Sequence, residues 1–306
     1  MILRHRTGVT RLAKLTGELS GAVGTVSAGR LRGTPDTARR EKDLAQRTII
    51  VHYHIFKNAG SSVDRLLHMA FGDRWATLEG PTPTSLLRPD DLARFIKDRP
   101  EIVAVSSHLL RPPAPPGVRV LPIVLIRHPL DRAFSVYSHL RRHGDGAKTG
   151  TVAQETDFSQ FVLWCLNNKT LGGMVITNYQ VIHLSPASFR NEHIYQAVAL
   201  ENDYRHAVNY LSDTACFGTV DLFDATMDWL GREAATIGLH IPAMTVTENA
   251  TPDRPRDLDE RLHVARQLLG PSLYQRYMDE NEFDLRLYEW AQPRAAPMVQ
   301  QCQSAS

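Results

Sequence analysis

A β-branched and aromatic run at residues 48–56 constrains the fold more than any other part of the chain. The run reads TIIVHYHIF, and the sequence KNAG follows it at once. Val, Ile, Tyr and Phe favour strands, whereas Asn and Gly favour turns. Residues 61–71 then place apolar side chains at the i, i+3, i+4 spacing of a helix with one buried face. The sequence therefore predicts a strand, a tight turn and a helix in direct succession.

Further strands and helices follow in alternation. The apolar runs at 102–106 and 121–126 are almost continuous, as in parallel strands buried on both faces. The proline-rich segment 112–117 between them must be a surface loop, because proline suits neither helix interiors nor central strands. We expect one α/β domain, a three-layer fold with a mostly parallel sheet and a phosphate-loop-like strand-loop-helix, over residues 46–292. Helical spacing recurs at 133–140, 158–167, 203–212, 222–236, 258–269 and 272–291, and one more strand is expected at 216–220.

The two ends of the chain differ from this domain. Residues 1–45 are rich in Gly, Ser, Thr and Arg and predict a flexible basic arm. An alternative is a short amphipathic helix over 9–19 that lies on an anionic membrane face. Residues 293–306 predict a disordered tail. No apolar run is long enough for a membrane span, and charged residues interrupt any signal-peptide core, so we expect a cytoplasmic protein.

Composition excludes several classes of function. The net charge is +2, and outside the first 48 residues no basic stripe interleaved with aromatic residues appears, so nucleic-acid binding is not expected. The three cysteines are too widely spaced for a disulfide framework or a zinc ribbon, and we expect no metal site. His52 and His54 alternate on the first strand and are expected to be buried or supporting histidines.

The turn after the first strand is a candidate anion site. Backbone N–H groups at the start of a helix lack intrahelical partners, and the helix dipole favours negative charge there. Lys57 adds a positive charge, and the serines at 61 and 62 add hydroxyl donors. Ala59 and Gly60 allow a ligand to approach the backbone closely. Because this lysine precedes the glycine, the consensus of ATP-binding phosphate loops is not met, and a simple strand-helix turn with a surface lysine is the alternative. The residues are Lys57, Asn58, Ala59, Gly60, Ser61 and Ser62.

A second segment ends another strand with a basic residue. Arg127 follows the apolar run at 121–126, and Ser135 lies eight residues later on the helix entered after a proline. An arginine fork and a serine hydroxyl in this arrangement can converge on one phosphate. The alternative for the arginine is a structural ion pair with a carboxylate such as Asp131. Arg132 is expected to face solvent or Asp131.

The segments IFKNAGSS at 55–62 and RHPLDRAFSVY at 127–137 resemble those of the sulfotransferase superfamily. The similarity is greatest to the carbohydrate branch that includes the heparan sulfate 2-O-sulfotransferases, and it extends weakly over residues 48–291. The resemblance implies that the first segment binds the 5′-phosphosulfate of 3′-phosphoadenosine 5′-phosphosulfate (PAPS). It implies that Arg127 and Ser135 bind the 3′-phosphate, and that the acceptor is a hydroxyl of a carbohydrate or glycolipid.

Candidate catalytic residues lie at the ends of the predicted strands. Lys57 is expected near the oxygen that leaves with the 5′-phosphate, where negative charge develops. His108 follows the strand at 102–106, at the sheet edge where ligands collect, and is our first candidate for the base that takes the acceptor's proton. The resemblance implies a catalytic histidine at a comparable strand end. The alternative is a histidine that bonds a neighbouring backbone group.

Three weaker expectations complete the site. Asp64 lies near the position where other branches of the family carry a glutamate, and it is our second candidate base. The resemblance implies that a loop near Arg256 closes on the nucleotide, although this charge could equally be solvated. It also places acceptor-site residues near Tyr179 and Gln180, with acceptor choice shaped by loops at 72–100 and 143–157.

Two other functions stay open from the sequence. One is a phosphate-loop kinase that uses ATP, which the position of the lysine and the lack of a Mg²⁺-binding signature disfavour. The other is a nucleotide-binding module without catalytic activity, which the presence of Lys57 and Ser135 disfavours.

Overall fold

Parallel strands at the centre of the molecule confirm the predicted α/β fold. The computed structural model describes residues 47–82, 85–190, 194–214, 216–242, 255 and 257–303. Within these residues the strands form one five-stranded sheet in which every neighbouring pair is parallel. Its order is β2-β3-β1-β4-β5, where β1 is Thr48–Tyr53, β2 Trp75–Thr77, β3 Ala104–Ser107, β4 Arg119–Ile126 and β5 Phe217–Thr219.

Helices connect and cover these strands. The longest, α9, is interrupted at Gly270, whose φ of 70° is outside the helical range and precedes a proline. Short 3-10 turns join several of the others. The helices are α1 Gly60–Phe71, α2 Pro89–Asp98, α3 Pro129–His143, α4 Lys148–Glu155, α5 Phe158–Asn167, α6 Tyr179–His183, α7 Glu201–Ser212, α8 Phe223–Thr236, α9 Leu258–Glu280 and α10 Glu282–Gln303.

Strand β1 shows why the sheet is buried on both faces. Its residues Ile49, Val51 and Tyr53 belong to a core that also contains residues of α2, α6, α7 and α10. Ile50, between them, belongs to a second core with residues of α1 and α8. Successive side chains of a strand point to opposite faces, so both layers of helices pack on the same strand. This explains why the strands are continuously apolar rather than alternating.

A third hydrophobic cluster lies outside the sheet layers. Side chains of α3, α4, α5 and α9 form it, around Phe161 and Tyr277. The Tyr277 hydroxyl donates to the backbone oxygens of Pro129 and Ile176, at 3.0 and 3.1 Å. The cluster therefore fixes the start of α3, which follows the end of β4.

The structure differs from the sequence prediction in two segments taken as loops. The segment 72–100 contains β2 and α2, and 143–157 contains α4. Strand β2 has only three residues, too few for a detectable alternation, and pairs with β3 alone. Helix α2 begins at a proline, where the Asp91 carboxylate accepts a hydrogen bond from the Arg88 N–H at 2.8 Å.

The last helix of the structure extends into the segment predicted as a tail. Helix α10 continues to Gln303, beyond the start of the tail predicted at 293–306, and Ala291 and Ala295 are buried along it. These two alanines are four residues apart and lie on one face of α10, which can therefore pack closely against its neighbours. Two small apolar residues are only a weak sequence signal for a helix. The predicted arm at 1–45 lies outside the described residues. Within the described ones, no helix has both the length and the apolar character needed to cross a membrane.

Candidate functional site

The loop between β1 and α1 has strained backbone at two non-glycine residues. Lys57 and Ala59 have φ values of 67° and 61°, in the left-handed region. Such a conformation costs a non-glycine residue about 1–2 kcal/mol. Ala59 directly precedes α1 without a side-chain cap, and the first turn contains no acidic residue. The start of this helix is therefore compatible with a bound anion.

Two arginines hold this loop in place. The Arg127 Nη1 donates to the Lys57 backbone oxygen at 2.8 Å, and the Arg132 Nε donates to the Phe56 oxygen at 3.1 Å. The expectation that Arg132 faces solvent or Asp131 was wrong, since it is buried and its Nη2 donates to Val175 O at 2.7 Å. The strained loop is therefore fixed by the protein itself, as such conformations require.

The side chains of Asn58 and Gln180 connect the loop to the end of β4. The Asn58 Nδ2 donates to the Leu125 backbone oxygen and to the Gln180 Oε1, both at 2.7 Å. Gln180 in turn accepts from the Arg127 N–H and donates to the Arg127 oxygen, each at 2.9 Å. Both side chains are buried. The Asn58 amide group, predicted to contact the cofactor, thus joins the loop to the end of β4. Gln180, predicted near the acceptor, has no exposed surface.

The structural ion pair that the sequence left open for Arg127 is present. Its Nε donates to the Asp131 Oδ2 at 2.7 Å. A second arginine from α9 joins it, because the Arg261 Nε donates to the Asp131 Oδ1 at 2.9 Å and its Nη2 to the Asp221 Oδ1 at 3.0 Å. The sequence did not predict a role for Arg261, because the residues around it show only the pattern of an ordinary helix. Arg256, which was predicted to bind the cofactor, lies outside the described residues.

Ser135 shares a helix face with this ion pair. It is buried on α3, four residues after Asp131. Residues at this spacing have Cβ atoms about 5–6 Å apart. Ser135 therefore lies on the same face of α3 as Asp131, the carboxylate that Arg127 contacts.

His108 lies at the carboxyl end of β3, held through its backbone and its ring. The Glu79 Oε1 accepts from the His108 backbone N–H and lies 3.0 Å from its Nδ1. The Arg111 Nη1 donates to the His108 oxygen at 2.8 Å. The imidazole is 45% exposed, which leaves it accessible to a substrate. The predicted alternative, a ring bonded to a neighbouring backbone group, does not describe this arrangement, because the ring contacts a carboxylate.

His54 connects His108 to the loop. The two imidazole rings stack with centroids 3.8 Å apart and an interplanar angle of 29°. A Cβ placed on Gly60 would lie 2.1 Å from both Cδ2 and Nε2 of His54, so this position requires glycine. Burial lowers the pKa of His54 to about 4, which keeps the ring neutral at pH 7. The sequence placed His54 on the first strand but gave no sign of this contact.

The Asp64 carboxylate contacts His52 and His54. Its Oδ1 is 2.8 Å from the His52 Nδ1, and its Oδ2 is 3.0 Å from the His54 Nδ1, although the second contact lacks the angle of a hydrogen bond. Burial raises the pKa of Asp64, but its contacts with the two histidines outweigh burial and hold the pKa far below the usual range. A carboxylate with such a low pKa is a poor proton acceptor.

The same three residues are the candidate for a metal site within the described part of the chain. Their ligand atoms lie within 4.8 Å of one another. Each imidazole Nδ1 faces its own carboxylate oxygen at 2.8–3.0 Å, and the Ser106 hydroxyl is a further 3.2 Å partner of the His52 Nδ1. We interpret the cluster as a carboxylate that holds His52 by a hydrogen bond and lies beside His54, whose buried Nδ1 makes no hydrogen bond.

The candidate residues therefore meet at one edge of the sheet. The loop follows β1, His108 follows β3 and Arg127 follows β4, so all three come from the carboxyl ends of adjacent parallel strands. This edge is where open α/β sheets bind ligands.

Comparison with known proteins gives no activity for this arrangement. No protein-family model matches the chain. A curated relative, an uncharacterized protein of Archaeoglobus fulgidus, is 28% identical over 253 residues, which cover 79% of this chain and 95% of its own length. The similarity therefore spans most of both chains, and the function must be argued from the site.

Proposed function

We propose that this protein is a PAPS-dependent sulfotransferase that transfers a sulfuryl group to a hydroxyl of a carbohydrate or glycolipid. The observation that carries the proposal is the contact of Arg127, at the end of β4, with the backbone of Lys57 in the strained loop. The two segments that resemble sulfotransferases, 70 residues apart in sequence, are thereby joined. An accessible histidine at the same edge supplies a candidate base.

The donor would be held at both of its anionic ends. The loop and the start of α1 offer backbone N–H groups and the hydroxyl of exposed Ser61 to the 5′-phosphosulfate. Arg127 and Ser135 would bind the 3′-phosphate from one side of α3. Asp131 fixes the guanidinium of Arg127 beforehand, so less side-chain entropy is lost when the nucleotide binds.

The transfer itself needs a base and a group that stabilises the leaving oxygen. The acceptor oxygen forms a bond to sulfur as His108 takes its proton, and the bond from sulfur to the bridging oxygen breaks. The electron pair of that bond stays on the 5′-phosphate of adenosine 3′,5′-bisphosphate, next to the Lys57 ammonium. We assign Asp64 to holding His52 and His54 rather than to the base, because its pKa is strongly lowered.

Nucleotide preference tests the donor. We expect adenosine 3′,5′-bisphosphate to raise the melting temperature of the full chain and ATP with Mg²⁺ to leave it unchanged. A ligand present at 100 times its dissociation constant adds about 2.7 kcal/mol of stability, which is readily measured. Equal or greater stabilisation by ATP would contradict the proposal and favour a kinase.

Label transfer tests the reaction. The full chain is incubated with ³⁵S-labelled PAPS and a panel of glycans, glycolipids and phenols, and the products are separated. We expect label in a glycan or glycolipid. Nucleotide binding without transfer to any acceptor would instead favour a non-catalytic nucleotide-binding module.

A further inference from the structure

We propose that Glu79 is the positioning residue of His108, which it holds with the proton on Nδ1 and with Nε2 as the basic atom. This inference rests on the proposed function and adds a residue to the site. Glu79 was not among the residues predicted from the sequence to have a role, and it lies in a segment expected to be a loop.

The backbone places Glu79 beside His108. The Leu78 N–H donates to the Ser106 oxygen at 2.9 Å, so the pairing of β2 with β3 continues for one residue past the end of β2. At the end of β3, the Ser107 Oγ accepts from the N–H groups of Leu109 and Leu110, which turns the chain. Glu79 and His108 therefore leave the sheet side by side.

One carboxylate oxygen fixes both the backbone and the ring of His108. The Glu79 Oε1 is 3.0 Å from the backbone nitrogen and 3.0 Å from Nδ1. Burial raises the pKa of Glu79, but its hydrogen bonds with His108 outweigh burial and lower the pKa below its usual value. Because an ionised carboxylate can only accept hydrogen bonds, the proton must lie on Nδ1. The lone pair is then on Nε2, the atom that takes a proton.

This geometry matches what general base catalysis requires. A base oriented by a third group is the recurring arrangement of activated histidines. When His108 accepts a proton it becomes positive, and the adjacent carboxylate stabilises that charge. Glu79 thus acts through His108 and does not itself touch the substrate.

The other groups around His108 do not compete for its proton. Neutral His54 stacks on one face of the ring. Arg111 faces the His108 backbone oxygen, and His183 lies behind Arg111, with its Nε2 3.5 Å from the Arg111 Nη1. Burial, followed by the charge of Arg111, holds the pKa of His183 well below its usual value, so this ring is also neutral. Within the described residues Glu79 is the carboxylate in direct contact with the His108 ring.

Long-range ¹H–¹⁵N NMR of histidine-labelled full-length protein tests the inference. In the wild type we expect neutral His108 to carry its proton on Nδ1. Glu79→Gln keeps the shape but removes the charge, and we expect a mixture of the Nδ1-protonated and Nε2-protonated tautomers of His108. Glu79→Asp retains a carboxylate and should restore the Nδ1 proton. The matched control is Glu155→Gln, at an exposed glutamate on α4, and it should change nothing.

Kinetics complete the test. With an acceptor found in the label assay, Glu79→Gln should lower kcat by about 10- to 100-fold. The melting-temperature shift with adenosine 3′,5′-bisphosphate should stay as in the wild type. An unchanged His108 tautomer in Glu79→Gln would overturn the inference. The NMR measurement needs neither donor nor acceptor, so it decides the role of Glu79 even if the nucleotide assay overturns the proposed function.

Discussion

At the scale of single residues, the loop between β1 and α1 contains two positions, Lys57 and Gly60, where the residue type is constrained. Lys57 has left-handed backbone, which favours glycine, yet a glycine there would lack the ammonium group. Gly60 has the opposite constraint, because the ring of His54 occupies the space of a Cβ. Substitution of Lys57 should therefore mainly affect activity, whereas substitution of Gly60 should mainly affect stability.

Replacing Lys57 should separate activity from stability. Hydrogen bonds to charged groups contribute about 1.5–3 kcal/mol, so Lys57→Ala should slow transfer by tens to hundreds of fold in a folded chain. Lys57→Gly should be equally inactive but about 1 kcal/mol more stable than Lys57→Ala, because glycine tolerates positive φ. Label transfer and urea denaturation measure the two effects. Near-normal transfer by either variant would exclude a role for the lysine in the reaction.

Gly60→Ala should destabilise the protein although alanine is normally the better helix former. The new methyl group meets the His54 ring and must displace it, at a cost of about 1–3 kcal/mol. The matched control is Gly231→Ala on α8, where a Cβ would meet only Ile241 O at an ordinary 3.5 Å. We expect this control to be neutral or stabilising in urea denaturation. A Gly60→Ala variant as stable as the control would show that the His54 ring moves aside freely.

At the scale of elements, the loop is held by its neighbours. Strand β4 supplies the Leu125 oxygen to Asn58, α3 supplies Arg132, and α6 supplies Gln180. Asp284 of α10 continues the network, because its carboxylate accepts from the backbone N–H groups of Gln180 and Val181, at 3.1 and 2.9 Å. Helices distant in sequence therefore contribute to the shape of the loop.

Arg132→Met should test this support. Methionine fills a similar volume but leaves the Phe56 and Val175 oxygens without their donor, and each unsatisfied buried group costs about 1–3 kcal/mol. We expect a lower urea midpoint and a smaller melting-temperature shift with adenosine 3′,5′-bisphosphate. Arg142→Met, at an exposed arginine on the same helix, is the control. Nucleotide binding as strong as in the wild type would mean that the loop keeps its shape without Arg132.

Sequence patterns predicted the elements better than the contacts between them. The strand-turn-helix at 48–71 was predictable because burial and turn chemistry are local. The contact of Glu79 with His108 spans 29 residues, and that of Asp131 with Arg261 spans 130 residues. Neither has a local signal, since both depend on which strands and helices become neighbours. For the same reason Arg132 was wrongly expected at the surface, where an isolated arginine is usually found.

At the scale of the whole molecule, buried histidines link stability to pH. The folded protein keeps His54 neutral down to about pH 4, and His183 is neutral as well, whereas in the unfolded chain such groups protonate near pH 6.5. Below that pH the unfolded state binds more protons, so stability must fall as pH decreases from about 6.5 towards 4. Each such histidine adds a slope of about 1.4 kcal/mol per pH unit.

Urea denaturation between pH 7 and 4.5 measures this slope. We expect His54→Asn to reduce it and His206→Asn, at an exposed position on α7, to leave it unchanged. Equal slopes in the wild type and His54→Asn would show that His54 accepts a proton in the folded state.

The His54 ring, in contact with both Gly60 and His108, has a further consequence for engineering. It sets the spacing between the loop proposed to bind the donor and the proposed base through one rigid group, not through a flexible segment. No residue of the segment 143–157 takes part in the contacts of His54 with Gly60 and His108. Surface side chains of that segment could then be exchanged while the distance between the loop and His108 stays constant.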